Sequence, residues 1–237
     1  VGQILAAIQS PPANPLTNSQ YQAALLVASP LYGNIMNLVL AYANTLPPSG
    51  GIAGVYATND SQYGVWNSPA NTSIVGAVSL PIKISDTQQE NLNIDAVSGK
   101  SVNAIRFFNG LGILIWGART LDGNSQDWRY ISVRRTMTYI EQSIKLAAQS
   151  FVFQPNNATT WTAVQSEVSS FLTSVWAAGG LQGATAASAF SVSVGLGSTM
   201  TADDLLNGYM RVSVKVAVVR PAEFIVFTFE QQQATSG

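Results

Sequence analysis

The chain has 237 residues, with 11 Lys plus Arg against 12 Asp plus Glu for a net charge of −1; 47 % of residues are hydrophobic and only 10 % charged. It has no His and no Cys, which excludes Ser-His-Asp and Cys-His nucleophilic sites, imidazole and thiolate metal ligands, and disulfides. There is no basic run, which argues against binding nucleic acid through its phosphates. Charge far below the roughly 25 % of ordinary domains points to surface buried against partners, the alternative being a neutral extracellular domain coated with Ser, Thr, Asn and Gln.

The longest apolar runs, such as Gly112 to Ala118, are far shorter than the ~20 residues a bilayer span needs. The chain starts at Val1, has no basic start followed by an apolar core, and reads as a processed or truncated piece.

Taken in order, Ile4, Leu5 and Ile8 precede a break at Pro11, Pro12 and Pro15. Ser29-Pro30 predicts a helix start, Ser as N-cap and Pro at the first helical position. Leu31, Ile35, Leu38, Val39 and Tyr42 continue it until Pro47-Pro-Ser-Gly-Gly51. Residues 52–66 read as a short helix or a tight loop. Weak alternation over 73–84 predicts a strand, and Ser85 an N-cap.

Near residue 97 the composition shifts, and we place a domain boundary there. Residues 105–108 and 112–118 predict two strands joined by Asn109-Gly110, a hairpin turn. Residues 130–133 read as a strand end, and 136–150 as a helix with Met137, Ile140 and Ile144 on one stripe. A second helix, 159–178, is expected to bury Trp161, Val164, Val168, Phe171, Val175 and Trp176 as one face, ending at Gly179-Gly180.

Residues 190–196 predict a strand, and Thr201-Ala-Asp-Asp204 a capped acidic helix start. Residues 209–219 alternate as a strand, Pro221 breaks it, and 224–229 form a last strand. Residues 231–237 read as a flexible polar tail. The sum is an α+β fold: a mixed or antiparallel sheet flanked by helices.

No motif carries catalysis. Gly99-Lys100-Ser101 resembles the end of a phosphate loop, but the required upstream Gly is Ile94. Asp203 and Asp204 serve capping better than a glycosidase pair, and Asp122 with Asn124 lacks the rest of a calcium loop. We expect no cofactor and no enzyme activity. The Arg residues beside aromatics, such as Arg129 between Trp128 and Tyr130, fit either interfaces or snorkelling over their own core.

Several stretches together resemble one family. Pro47-Pro-Ser-Gly50, Ala53-Gly-Val-Tyr-Ala57, Asp60, Gly64-Val-Trp66 and Ser68-Pro-Ala-Asn71 resemble the end of the subtilisin-like domain of contractile tail-sheath proteins. Ile105-Arg-Phe-Phe108, Trp116-Gly-Ala-Arg-Thr120, Trp128-Arg-Tyr-Ile131, Tyr139-Ile-Glu-Gln-Ser143, Phe151-Val-Phe-Gln-Pro-Asn156 and Val219-Arg-Pro-Ala-Glu-Phe-Ile225 resemble its C-terminal sheath domain. The resemblance runs in unbroken order from about residue 30 to 230, but the family's longer N-terminal half is missing.

The resemblance implies residues 1–97 as the end of the subtilisin-like domain, so named for its fold only, and 98–230 as the C-terminal sheath domain. It implies a structural subunit of phage tails or tail-like injection systems, assembled in the producing cell's cytoplasm. Many copies would form a helical sleeve on an inner tube, with baseplate and terminator proteins, and contract to drive the tube through an envelope. No nucleic acid or membrane insertion is implied. In such sheaths terminal arms join neighbouring subunits. The expected exchange strand here is Glu223, Phe224, Ile225, Val226, Phe227, Thr228 and Phe229, spanning roughly 23 Å at ~3.3 Å per residue. The alternative for this segment is pairing within its own sheet, with residues 209–219. Lys145, Arg211 and Lys215 are candidates for facing an acidic tube. A surface glycan-binding module, suggested by five Trp and eight Tyr, is the competing reading.

Overall fold

Charge is unevenly distributed: no Asp, Glu, Lys or Arg occurs before Asp60. The computed structural model describes residues 1–10, 17–95 and 97–228. The chain divides into units at Val1–Gly50 and Gly51–Gly237. The prolines at 11, 12 and 15, Phe229 and the polar tail lie outside the described residues.

The first unit holds α1 (Gly2–Gln9), α2 (Asn18–Ala28) and α3 (Pro30–Ala43). The Tyr21 hydroxyl donates to the Ala7 carbonyl at 3.4 Å, tying α2 to α1. Helix α3 starts as expected: Ser29 Oγ accepts from the Tyr32 N–H at 3.3 Å, with Pro30 at the first position. No residue of α3 is buried, and Leu31, Leu38 and Tyr42 are exposed. Among the described residues no single helix is long and apolar enough to cross a membrane.

Helix α4 (Ser49–Tyr63) resolves the stretch that the sequence left open between helix and loop. Gly64, at φ 89°, ends it in a conformation that glycine adopts freely. Asp60 accepts from Arg135 Nη1 at 2.8 Å.

Strands β1 (Thr72–Ser73), β2 (Ala104–Phe108) and β3 (Gly112–Trp116) form an antiparallel sheet in the order β1-β3-β2. The β2–β3 hairpin closes through Asn109-Gly110, as expected, with Gly110 at φ 80°. The long strand expected over 73–84 does not form. Gly76 sits at φ 86°, the Ala77 N–H bonds back to the Ile74 carbonyl, and Pro81 offers no donor, so the chain turns instead. Between β1 and β2 lies α5 (Asp86–Asn93), started by a Ser85–Gln88 capping box. This sheet joins strands from both sides of residue 97.

Helices α6 (Ile131–Ala148) and α7 (Ala158–Ala177) follow. Residues 130–133 are not a strand end: Tyr130 bridges to Arg119, and α6 begins at Ile131, five residues earlier than expected. Helix α8 (Ala186–Ala189) precedes β4 (Phe190–Val194); α9 (Ala202–Leu206) precedes β5 (Val212–Val216). Strands β4 and β5 pair antiparallel, Val192 opposite Val214, as a second, two-stranded sheet. The fold is thus mixed α and β, with two small antiparallel sheets among helices.

The core lies between α7 and this second sheet. Val164, Val168, Leu172 and Val175 recur at 4-4-3 spacing and pack with Ile140, Leu181, Ala189 and Val192. Val214, Val216 and Val218 close the cluster from β5 and its continuation. Leu172, absent from the expected face, is its centre at 0 % exposure. Trp161, Phe171 and Trp176 are only half-buried, because they flank the stripe. Their polar edges are used instead: the Trp161 and Trp176 indoles donate to Asn156 Oδ1 (2.7 Å) and the Gly183 carbonyl (3.0 Å).

Candidate assembly surface

After β5 the chain passes Pro221 and reaches Glu223, the first residue of the expected exchange strand. Its side chain is held, not free. Arg119 Nε donates to Glu223 Oε1 at 2.9 Å and Arg119 Nη2 to Oε2 at 2.7 Å, a bidentate pair. The Tyr130 hydroxyl donates to Oε2 at 3.1 Å. Arg119 is itself only 8 % exposed, and its Nη1 donates to the Gly123 carbonyl at 3.2 Å. Asn103 fixes the Arg119 backbone from both sides: its Oδ1 accepts from the Arg119 N–H and its Nδ2 donates to the Arg119 carbonyl, both at 2.9 Å. Arg220 adds a bond to the Gln126 carbonyl and an ion pair to Asp127 at 3.6 Å.

The electrostatics match. Hydrogen bonding to Glu223 raises the Arg119 pKa further above its ordinary value. Burial, then the neighbouring Glu223 charge, pushes the Tyr130 phenol up, so it remains a donor at neutral pH.

Beyond Glu223 the character reverses. Phe224, Ile225, Val226 and Phe227 are 69, 71, 87 and 74 % exposed, and Thr228 is exposed as well. Among the described residues, 224–228 lie in no strand, where the sequence predicts the last one. Among the described residues the strand partner of β5 is β4.

The second sheet presents an outer edge along β5. Ala217 directs its N–H to the Ala189 carbonyl, and its carbonyl accepts from the Gln182 N–H. By strand alternation, Val212, Val214 and Val216 direct their backbone groups to the opposite side, away from β4. On β4 the outer side is partly used: Gln165 Nε2 donates to the Val192 carbonyl at 3.1 Å.

The tube-facing candidates are not brought together. Lys145 lies exposed in the last turn of α6. Arg211 and Lys215 share the solvent face of the β5 segment, opposite the core valines. Arg211 is already engaged, its Nε donating to Asp204 Oδ1 at 2.9 Å and its guanidinium lying 5.3 Å from the centre of the Tyr209 ring. Asp204 serves as a cap, as expected: it forms the capping box with Thr201. Among the described residues no group of three acidic side chains could hold a metal ion.

Sequence reasoning did not single out Arg119 and Tyr130 as the partners of Glu223. They lie 104 and 93 residues away; the available signal was a carboxylate set in an apolar run of a charge-poor chain.

Residues 8–121 match the phage tail sheath protein central domain, and residues 124–232 the phage tail sheath C-terminal domain. The chain belongs to the phage tail sheath family. This sheath-family chain is 27 % identical over 139 residues to the tail sheath protein of Vibrio phage KVP40, covering 57 % of the chain and 20 % of that relative. It is 31 % identical over 104 residues to a putative prophage major tail sheath protein of Pseudomonas aeruginosa strain UCBPP-PA14, covering 43 % and 26 %. Among solved structures it resembles the contracted sheath complex of an extracellular contractile injection system, PVC: 41 % identity, TM-score 0.75, covering 79 % of this chain and 51 % of that one. The contracted helical sheath of the anti-feeding prophage matches with 42 % identity, TM-score 0.73, and the same 79 % and 51 % coverage. The chain thus spans about half the length of the solved relatives and less of the curated ones.

Proposed function

We propose that this chain is a structural subunit of a contractile sheath that polymerises helically around an inner tube and drives it through a target envelope. The observation that carries this reading is the pair of sheath-family matches covering residues 8–121 and 124–232 in order. The particle would be a phage tail or tail-like injection device, assembled in the producer's cytoplasm, with tube, baseplate and terminator proteins as partners. The family is structural, and the reading includes no enzyme activity. A glycan-binding module is not favoured, because the sheath matches account for nearly the whole chain.

The reading includes a subtilisin-like portion over residues 1–97 followed by a C-terminal sheath domain over residues 98–230. It also includes strand exchange by residues 223–229. Support for the exchange comes from the exposed apolar run at 224–227 and the two-stranded sheet with outward-facing backbone at Val212, Val214 and Val216. An added strand would satisfy those groups and cover an aggregation-prone run at once. Lys145 and Lys215 remain candidates for the tube-facing side; Arg211 is a weaker one because Asp204 already offsets its charge.

Electron microscopy of the protein co-produced with its tube protein tests the reading. Helical sleeves in long and shortened states are expected. Tubes that form bare, with the protein monomeric beside them, would refute it.

A further inference from the structure

We infer that Glu223 is a positioning residue that roots the C-terminal segment on its own subunit and keeps it off its own β5, so that it is offered to a second copy. The inference rests on the exchange reading above and adds what decides between self-pairing and exchange.

Two strand-forming pieces lie close in the chain. β5 ends at Val216, and the apolar run starts at Phe224. Such neighbours pair readily as a hairpin when the connection is free to turn. Here the connection is committed elsewhere. Val219 donates to the Gly180 carbonyl at 3.3 Å, so the chain continues along the β4 side past the end of β5. Arg220 then bonds the Gln126 carbonyl, and Glu223 reaches Arg119 and Tyr130. Pro221 lies between these two anchors and restricts the backbone further. Residues 220–223 are therefore spent against the 119–130 loop, and the segment beyond leaves from a fixed point.

The anchor is built as a polar lock. Three hydrogen-bond donors, Arg119 Nε, Arg119 Nη2 and the Tyr130 hydroxyl, converge on one carboxylate. The guanidinium is largely buried, so losing the carboxylate leaves a buried cation without its counter-charge. A segment held at its root also loses less freedom when it docks on another subunit, which strengthens the docking.

Glu223→Gln tests this, with Tyr130→Phe as a milder variant that keeps the bidentate pair. The chain has no Cys, so spin labels placed at Ala222→Cys and Thr162→Cys report the position of the root directly. In monomers below the polymerisation threshold, a narrow distance distribution is expected for the parent. Glu223→Gln should broaden it about twofold or more, and Tyr130→Phe less. The protein concentration at which sheaths form should rise about tenfold for Glu223→Gln, with its helical far-UV signal retained. An unchanged distance distribution, or a broadened one with an unchanged assembly threshold, overturns the inference. Removal of residues 224–237 separates the two ideas. If that truncation still assembles normally, the exchange reading fails, whatever Glu223 does to the label distances.

Discussion

Helix α7 and the segment after Pro221 are both rich in large apolar residues, yet they end in opposite environments. On α7 the apolar residues recur with the helical period, so Val164, Val168, Leu172 and Val175 point one way and are buried by β4 and β5 of the same chain. Phe224 to Phe227 are consecutive, so no single face of their own chain can take them all, and they are 69–87 % exposed. The first region is complete within one subunit. The second makes physical sense only when another surface covers it. Helix α3, charge-free and without a buried residue, resembles the second case.

This comparison can be broken by substitution, taking the largest effect on monomer stability first. Leu172→Ala should cost about 2–5 kcal/mol, because it opens a cavity at the centre of the core; chemical denaturation of the monomer measures it. A cost near zero would mean that α7 is not packed as described. The half-buried Phe171 should cost less when truncated than Leu172 does. Thr201→Ala removes the N-cap of α9 and its capping box, for about 1 kcal/mol. The same denaturation experiment checks it.

Phe224→Ser together with Ile225→Ser should change monomer stability by less than about 0.5 kcal/mol, since both side chains are solvated already. The pair should nevertheless reduce sheath assembly, which pelleting assays would show. Acidification adds a small effect of known sign. The Thr201 backbone N–H, then Arg211, holds the Asp204 carboxyl below its ordinary pKa. Its contribution is therefore present above the usual aspartate pKa and is lost as pH falls through the lowered value. In the Arg211→Gln variant the acid-side loss measured by thermal melting should be smaller.

Much of this was legible in the sequence because it is local. Caps at Ser29, Ser85 and Thr201, the Asn109-Gly110 turn and the valine alternation of β5 each follow from a few adjacent residues. What was not legible depends on distant partners. The centring of the core on Leu172 instead of Phe171 requires knowing which side β4 covers. The Glu223 anchor depends on Arg119 and Tyr130, about a hundred residues earlier. Over residues 73–84 the weak alternation is overridden by Gly76 and Pro81, which turn the chain. The β propensity of residues 224–229 cannot say whose sheet they join.

The measurement that tests the account most directly is removal of residues 224–237, leaving Glu223 in place. The truncated monomer should melt within about 0.5 kcal/mol of the parent, since the described part of the segment contributes little buried surface. Produced together with the tube protein, it should remain soluble and fail to build sheaths. Long sheaths that form from the truncated protein, and contract without fragmenting, would contradict the account.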